Sequence, residues 1–342
     1  MPKRLVCVGE ERLEWQEYED KPLQGAQVRI RTAYAAAKHG TEMAGYKGYA
    51  QRRGVYDREY MLFRQPQETE ERRPSGVGNM VVGPIVEVGP AVRELRVGDM
   101  VCVYGSFAET RTVDESLCWK LPKGMSWKSA VCLDPADFAM GAVRDGHVRV
   151  GDAVAVFGLG AIGLMVVQIA RLSGAYPVIA VDPINRRREI AADLGADLTL
   201  DPSSVDAGLE IKIATARRGV DVAIDYSGSA AAMQAALRGV AYGGTVVAGA
   251  SPPPYPAGLD FGMEAHINIP TIVFSRACSQ PDREHPRWDE QRIFHTCWRL
   301  LCEGHLTGEP IVQPVVPFDA LLSEYPKIAT QPADYIKLGA EV

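Results

Sequence analysis

A glycine turn held between two hydrophobic patterns of different period leaves few folds open to the middle of this chain. Residues 152–157 run apolar as DAVAVF, Gly158-Leu159-Gly160-Ala161-Ile162-Gly163 follows, and Ile162, Val166, Ile169 and Ala170 then recur at helical spacing. A second apolar run, PVIAVD, ends at Asp182. Strand, helix and strand in that order form a βαβ unit of a parallel sheet. In the turn, Gly158 permits the tight reversal, Gly160 lets the backbone approach a pyrophosphate, and Gly163 lets helix and strand pack closely. Ala161 and Ile162 open the helix, whose N-terminus then faces the anion. Asp182 lies close to the ~20 residues expected past the motif, where a carboxylate accepts from the adenosine ribose hydroxyls and repels a 2′-phosphate. NAD is therefore favoured over NADP. Arg186, Arg187 and Arg188 weigh the other way, with Arg187 carried as a cofactor contact, although a solvated helix face also accounts for all three.

The alternation continues through a helix (NRRREIAADLGA), a strand (DVAIDYS), a helix (AAAMQAALRGV) and the strands GTVVAGA and NIPTIVFS. A six-stranded doubly wound sheet is the expected result. Before Val150 the texture differs: RLVCV, QVRIRTAYA, VVGPIVEVG and DMVCVYG, punctuated by Gly, Pro and Asp, predict a β-rich domain. From about Pro281 one helical pattern appears (Ile293, Cys297, Leu300, Leu301), followed by short strands. The 342 residues have room for about two domains. Residues 49–75, dense in Arg, Glu and Gln, fit solvated surface or a subunit contact better than a substrate lid.

With 37 basic against 43 acidic residues and no block of like charge, the chain lacks the basic stripe that nucleic-acid phosphates require. The start, MPKRLVCVGEERLEW, has no apolar core of signal-peptide length, and no run reaches the ~18 apolar residues of a membrane span. A soluble, cytoplasmic protein with a small-molecule substrate is expected, without nucleic-acid or membrane partners. The seven cysteines are scattered and never spaced C-x-x-C, so they read as free buried thiols.

With these motifs in order, the whole chain resembles the medium-chain dehydrogenase/reductase superfamily. The resemblance runs through VVGPIVEVGPAVRELRVGDMV, SFAETRTVDESLCWKLPKGMS, GLGAIGLMVVQIARLSGA, GVDVAIDYSGS and RLLCEGHLTGEPIVQPVVPFDALLSEY. It implies an α/β fold: a β-rich GroES-like catalytic domain from residues 1–144 plus 281–342, and a Rossmann NAD-binding domain from residues 145–280. The substrate is then expected in the cleft between them, over the nicotinamide. Homodimers or homotetramers formed through the edge strand at residues 271–275 are also implied.

The departures from the zinc-dependent pattern bear on the chemistry. Those relatives carry Cys at the head of a C-G-T-D-like segment and a G-H-E triplet, where this chain has His39-Gly40-Thr41-Glu42 and Gly78-Asn79-Met80. A catalytic zinc needs three Cys, His or carboxylate ligands, and only His39 qualifies at these positions. No metal is expected, and another group must take the alcohol proton or polarise the carbonyl. The resemblance sets Thr41 beside the substrate oxygen as a proton relay, but the next relay position holds Ala44. His39, with a reference pKa near ~6.5, suits acid/base work. Lys38 would supply positive charge to a developing alkoxide. Asp134, in Leu133-Asp134-Pro135, would hold Lys38 or His39 or bind a substrate hydroxyl.

Plainer roles stand beside these: His39 as a hydrogen-bonder filling the vacated volume, Lys38 as a solvated side chain, and Glu42 as an anchor of its loop instead of a substrate contact. Asn79 and Met80 are expected to line the pocket. Tyr34 and Lys38 also fit Y-x-x-x-K, a pair that works from one helical face; the segment reads as strand entering loop, so the match is coincidental. The expected reaction is zinc-independent, NAD-dependent hydride transfer between the nicotinamide and a secondary alcohol or ketone. The polar site residues favour a polyhydroxylated substrate such as a sugar, cyclitol or derivative. The alternatives are a zinc-free enone or quinone reductase using NADPH, a redox-neutral enzyme with retained NAD, and a catalytically silent NAD-binding protein.

Overall fold

Six runs rich in Val, Ile and Ala lie side by side in the order Leu198–Leu200, Val178–Val181, Val154–Phe157, Val220–Asp225, Val240–Ala248, Thr271–Phe274, every neighbouring pair parallel. This is the doubly wound order, with its switch point between Val154–Phe157 and Val220–Asp225. Val154–Phe157 and Val178–Val181 are buried along their whole length, as strands covered on both faces must be. Leu198–Leu200 is not among the strands read from the sequence, because three residues are too few to show a period. Its parallel pairing with residues 179–181 makes it a strand.

The computed structural model describes residues 1–50, 54–64, 74–255, 258–276 and 282–342. They form two units, Met1–Val131 with Val312–Val342, and Cys132–Ile311. The boundaries differ from the expected 144/145 and 280/281. The helix Leu133–Asp145 packs against both Ala161–Leu172 and Glu290–Cys302, so these three helices share a core with the parallel sheet.

The β-rich unit holds a three-stranded sheet, Arg12–Glu17, Lys3–Gly9 and Ser75–Gly76, and an eight-stranded one. In the larger sheet the C-terminal strand Gly339–Glu341 pairs antiparallel with Tyr34–Ala36 and parallel with Val315–Pro317. Leu5, Ile30, Phe107, Tyr325 and Leu338 are fully buried in one cluster. Each such side chain contributes about 1.5–3 kcal/mol. The C-terminal tail is thus part of this unit's core.

The segment expected as strand entering loop is instead a strand, Tyr34–Ala36, and a helix, His39–Tyr46. Tyr34 and Lys38 still share no helical face, since Tyr34 stacks on Trp127 with 4.6 Å between ring centroids and Lys38 is the helix N-cap. Within residues 49–75, Val55–Asp57 and Leu62–Arg64 form a hairpin; residues 51–53 and 65–73 lie outside the described residues. Among the described residues no helix is long and apolar enough to cross a membrane. Six of the cysteines are thiols outside any disulfide: Cys7, Cys102, Cys132 and Cys297 are buried as expected, whereas Cys118 and Cys302 are only half-buried. Cys278 lies outside the described residues.

Candidate active site

Close backbone contacts shape the glycine turn. Gly158 has φ +84°, and a Cβ there would come within 2.5 Å of the Ser227 amide nitrogen. At Gly163 a Cβ would meet the Gly158 carbonyl oxygen at 1.9 Å, so helix and turn touch backbone to backbone. A Cβ on Gly160 would find nothing within 4 Å. Gly160 is also the N-cap of Ala161–Leu172 and supplies no side-chain cap. An open helix N-terminus behind a side-chain-free residue fits a pyrophosphate.

Asp182 is 3% exposed. Its Oδ2 accepts the Leu159 N–H at 2.8 Å and its Oδ1 the Ile184 N–H at 2.8 Å, tying the glycine turn to the end of the second strand. Arg187 Nη1 stands 3.6 Å from Oδ2. Arg188 donates to the Asp182 carbonyl at 2.7 Å and to Asn185 at 3.1 Å. A solvated helix face therefore accounts for Arg186 alone: its side chain is 60% exposed, against 16% for Arg187 and 14% for Arg188.

In the β-rich unit, Lys38, His39, Thr41 and Glu42 lie together at the start of His39–Tyr46, with Thr41 exposed. His39 Nε2 accepts the Leu338 N–H at 2.8 Å, so the neutral ring carries its proton on Nδ1. Glu42 is the anchor of its loop. Oε1 accepts the Lys38 N–H at 2.6 Å, and Oε2 accepts the Gly78 N–H at 3.0 Å and the Tyr325 hydroxyl at 2.7 Å. Met80 corrects the expectation that it lines a pocket. It lies in the strand Met80–Val88 opposite Ala36 and Tyr104 with no exposed surface, and offers no atom to a ligand. Asn79 is half-buried, and its Nδ2 is buried without a hydrogen-bond partner. Asp134 belongs to the other unit, in the first turn of Leu133–Asp145, 3% exposed.

Burial pushes the Glu42 carboxyl above its ordinary value, opposed by the Tyr325 hydroxyl, the Gly78 and Lys38 amides and the Lys337 charge. The folded state then holds this proton more tightly than the unfolded chain. Its contribution to stability is fully present below the unfolded value of 4.5 and is lost as pH rises through the raised value. Urea midpoints of the wild type are expected to fall across that window relative to those of Glu42→Gln, which cannot ionise. Parallel curves would contradict the raised value.

Sequence reasoning missed three members of this cluster: Tyr325, Leu338 and Lys337. Lys337 is 2% exposed, and its Nζ donates to the Ala37 carbonyl at 2.8 Å. The available signal was a lysine inside the apolar run YIKLGA. Among the described residues no three His, Cys, Asp or Glu side chains group as a metal site. An imidazole whose Nε2 takes a backbone N–H, a neutral amide and a buried thioether do not fit a catalytic zinc.

A doubly wound sheet with a glycine turn of the dinucleotide-binding kind, joined in one chain to a β-rich unit closed by its own tail, is the architecture to set beside known dehydrogenases. The family model for the zinc-binding dehydrogenase domain matches residues 161–280, and that for the alcohol dehydrogenase GroES-like domain matches residues 25–123. The D-guloside 3-dehydrogenase of Escherichia coli K12 is 44% identical, with 98% of this chain and 99% of that protein covered. The (R,R)-butanediol dehydrogenase of Bacillus subtilis is 31% identical over 75% of this chain and 78% of its own length. In fold, the chain is similar to the crystal structure of galactitol-1-phosphate dehydrogenase from Escherichia coli, with a TM-score of 0.78 at 19% identity, covering 99% of this chain and all of that one. The chain belongs to the medium-chain dehydrogenase/reductase superfamily.

Proposed function

We propose that this protein is a zinc-independent, NAD-dependent dehydrogenase that oxidises the 3-hydroxyl of a sugar glycoside to the ketone. The observation that carries the reading is the 44% identity, end to end, with a D-guloside 3-dehydrogenase. The polar cluster of Lys38, His39 and Thr41 suits a polyhydroxylated substrate. A nicotinamide dinucleotide would be held by the turn Gly158–Gly163 and by Asp182, and would supply the hydride acceptance that oxidation of the carbinol carbon requires. The hydroxyl proton passes from the substrate oxygen through the Thr41 hydroxyl to water. Lys38 sets positive charge against the developing alkoxide, and His39 orients the oxygen through Nδ1–H. Asp182 supports NAD, whereas Arg187 beside it supports acceptance of a 2′-phosphate, so the cofactor is tested directly.

Purified protein is to be assayed with NAD or NADP against methyl glycosides, free sugars, cyclitols and apolar secondary alcohols, following the near-ultraviolet absorbance of reduced nicotinamide. The expected result is turnover of glycosides with the new carbonyl at C3 by NMR, a kcat/KM about tenfold or more higher with NAD (a difference of roughly 1.4 kcal/mol), and no loss of activity after dialysis against chelator. Turnover of apolar alcohols or enones alone would overturn the substrate class; activity lost to chelator and restored by zinc would overturn zinc independence. Assembly through the strand Thr271–Phe274 is part of the same proposal. This sheet edge leaves Phe274 74% and Ile272 37% exposed, and light scattering is expected to give a dimer or tetramer.

A further inference from the structure

A lysine buried to 2% exposure with a carbonyl as its hydrogen-bond acceptor is costly, because an ammonium taken out of water loses most of its solvation. Its position accounts for the cost. Lys337 and Leu338 make three consecutive hydrogen bonds to the residues that lead into the candidate catalytic helix. Lys337 Nζ donates to the Ala37 carbonyl at 2.8 Å, the Ala37 amide donates to the Leu338 carbonyl at 2.9 Å, and the Leu338 amide donates to His39 Nε2 at 2.8 Å. The Glu42 carboxylate, which the Lys337 charge favours, holds the far side of the same loop through Lys38, Gly78 and Tyr325. Residues 37–42 are therefore clamped from both sides by groups of the same unit.

We propose that Lys337 is a positioning residue: by holding the Ala37 carbonyl it sets the approach of His39 to the Leu338 amide and so locks the imidazole with its proton on Nδ1. A buried ammonium on the C-terminal tail does the orienting. A lysine suits the task because its long stem packs in the core while its head delivers a charge-assisted bond. The inference rests on the proposed role of the His39 segment in turnover, but the ring's tautomer is a property of the free protein.

The test uses the full-length protein as wild type and as Lys337→Met, Lys337→Gln and Lys337→Arg. Long-range 15N–1H correlation of the imidazoles, with His39 assigned by the signal lost in His39→Gln, reads the tautomer without substrate. The wild type is expected to show Nδ1–H with Nε2 unprotonated. Lys337→Met, of similar length without a donor, and Lys337→Gln, too short to reach, are expected to show mixed tautomers, and Lys337→Arg the wild-type pattern. On the substrate found for the wild type, Met and Gln are expected to lower kcat about 10–100-fold with KM changed less than about threefold, and Arg to recover part of it. If Met does not fold, Gln carries the comparison. A wild-type ring protonated on Nε2, or an unchanged tautomer and kcat in a folded Met or Gln variant, would overturn the proposal. Failure to find any glycoside substrate would count against the proposed function, and the tautomer seen by NMR would still decide the role of Lys337.

Discussion

Gly163→Ala is expected to abolish dinucleotide binding and to cost about 3 kcal/mol of stability, at the upper end of overpacking effects. The added methyl would lie 1.9 Å from the Gly158 carbonyl oxygen, and that neighbour is backbone, which has no rotamer to move aside. The helix Ala161–Leu172 must then lift from the turn that forms the cradle. Gly160→Ala separates the two consequences. Position 160 has an ordinary φ of −73° and open space around its Cβ direction, so stability is expected to change by less than about 1 kcal/mol. Binding is still expected to weaken at least about tenfold, because the methyl fills the space a pyrophosphate approaches. Urea midpoints with fluorescence titration of NAD check both variants. Wild-type affinity in Gly160→Ala would mean that the anion does not approach this turn.

Glu42→Ala is expected to lower stability by about 3–5 kcal/mol and to remove activity. It leaves the Lys38 amide, the Gly78 amide and the Tyr325 hydroxyl without their acceptor and takes the counter-charge from buried Lys337. Tyr325→Phe removes one donor and leaves the carboxylate its two amides, so a loss of about 1 kcal/mol is expected. The contrast between the variants is the diagnostic. Equal urea midpoints for Glu42→Ala and wild type would show that the loop is held by other means.

The backbone geometry of the glycine turn was legible from the sequence because its requirements are local. The turn from Gly158 to Gly163 and the strand end at Asp182 span one βαβ unit, where each residue's constraint comes from neighbours within about thirty positions. The inward turn of Arg187 and Arg188 was not legible. Three successive arginines look alike until the fold brings Asp182 and Asp201 to two of them. Met80 departs from expectation for a related reason. A motif position identifies the neighbourhood of a ligand, whereas exposure follows from which face of its strand a residue takes, and here the thioether is fully buried.

By itself the sequence determined the fold class, the glycine turn and the presence of a polar cluster at residues 38–42, since hydrophobic period and glycine placement act over short stretches of chain. Tertiary structure alone decided what those cluster residues do. Glu42 meets Tyr325 across 283 positions, His39 meets Leu338 across 299, and Ala37 meets Lys337 across 300. No local pattern encodes a partner that far along the chain. It is found only when the C-terminal strand pairs with Tyr34–Ala36 and brings Lys337 and Leu338, the two residues before it, to the loop that needs them.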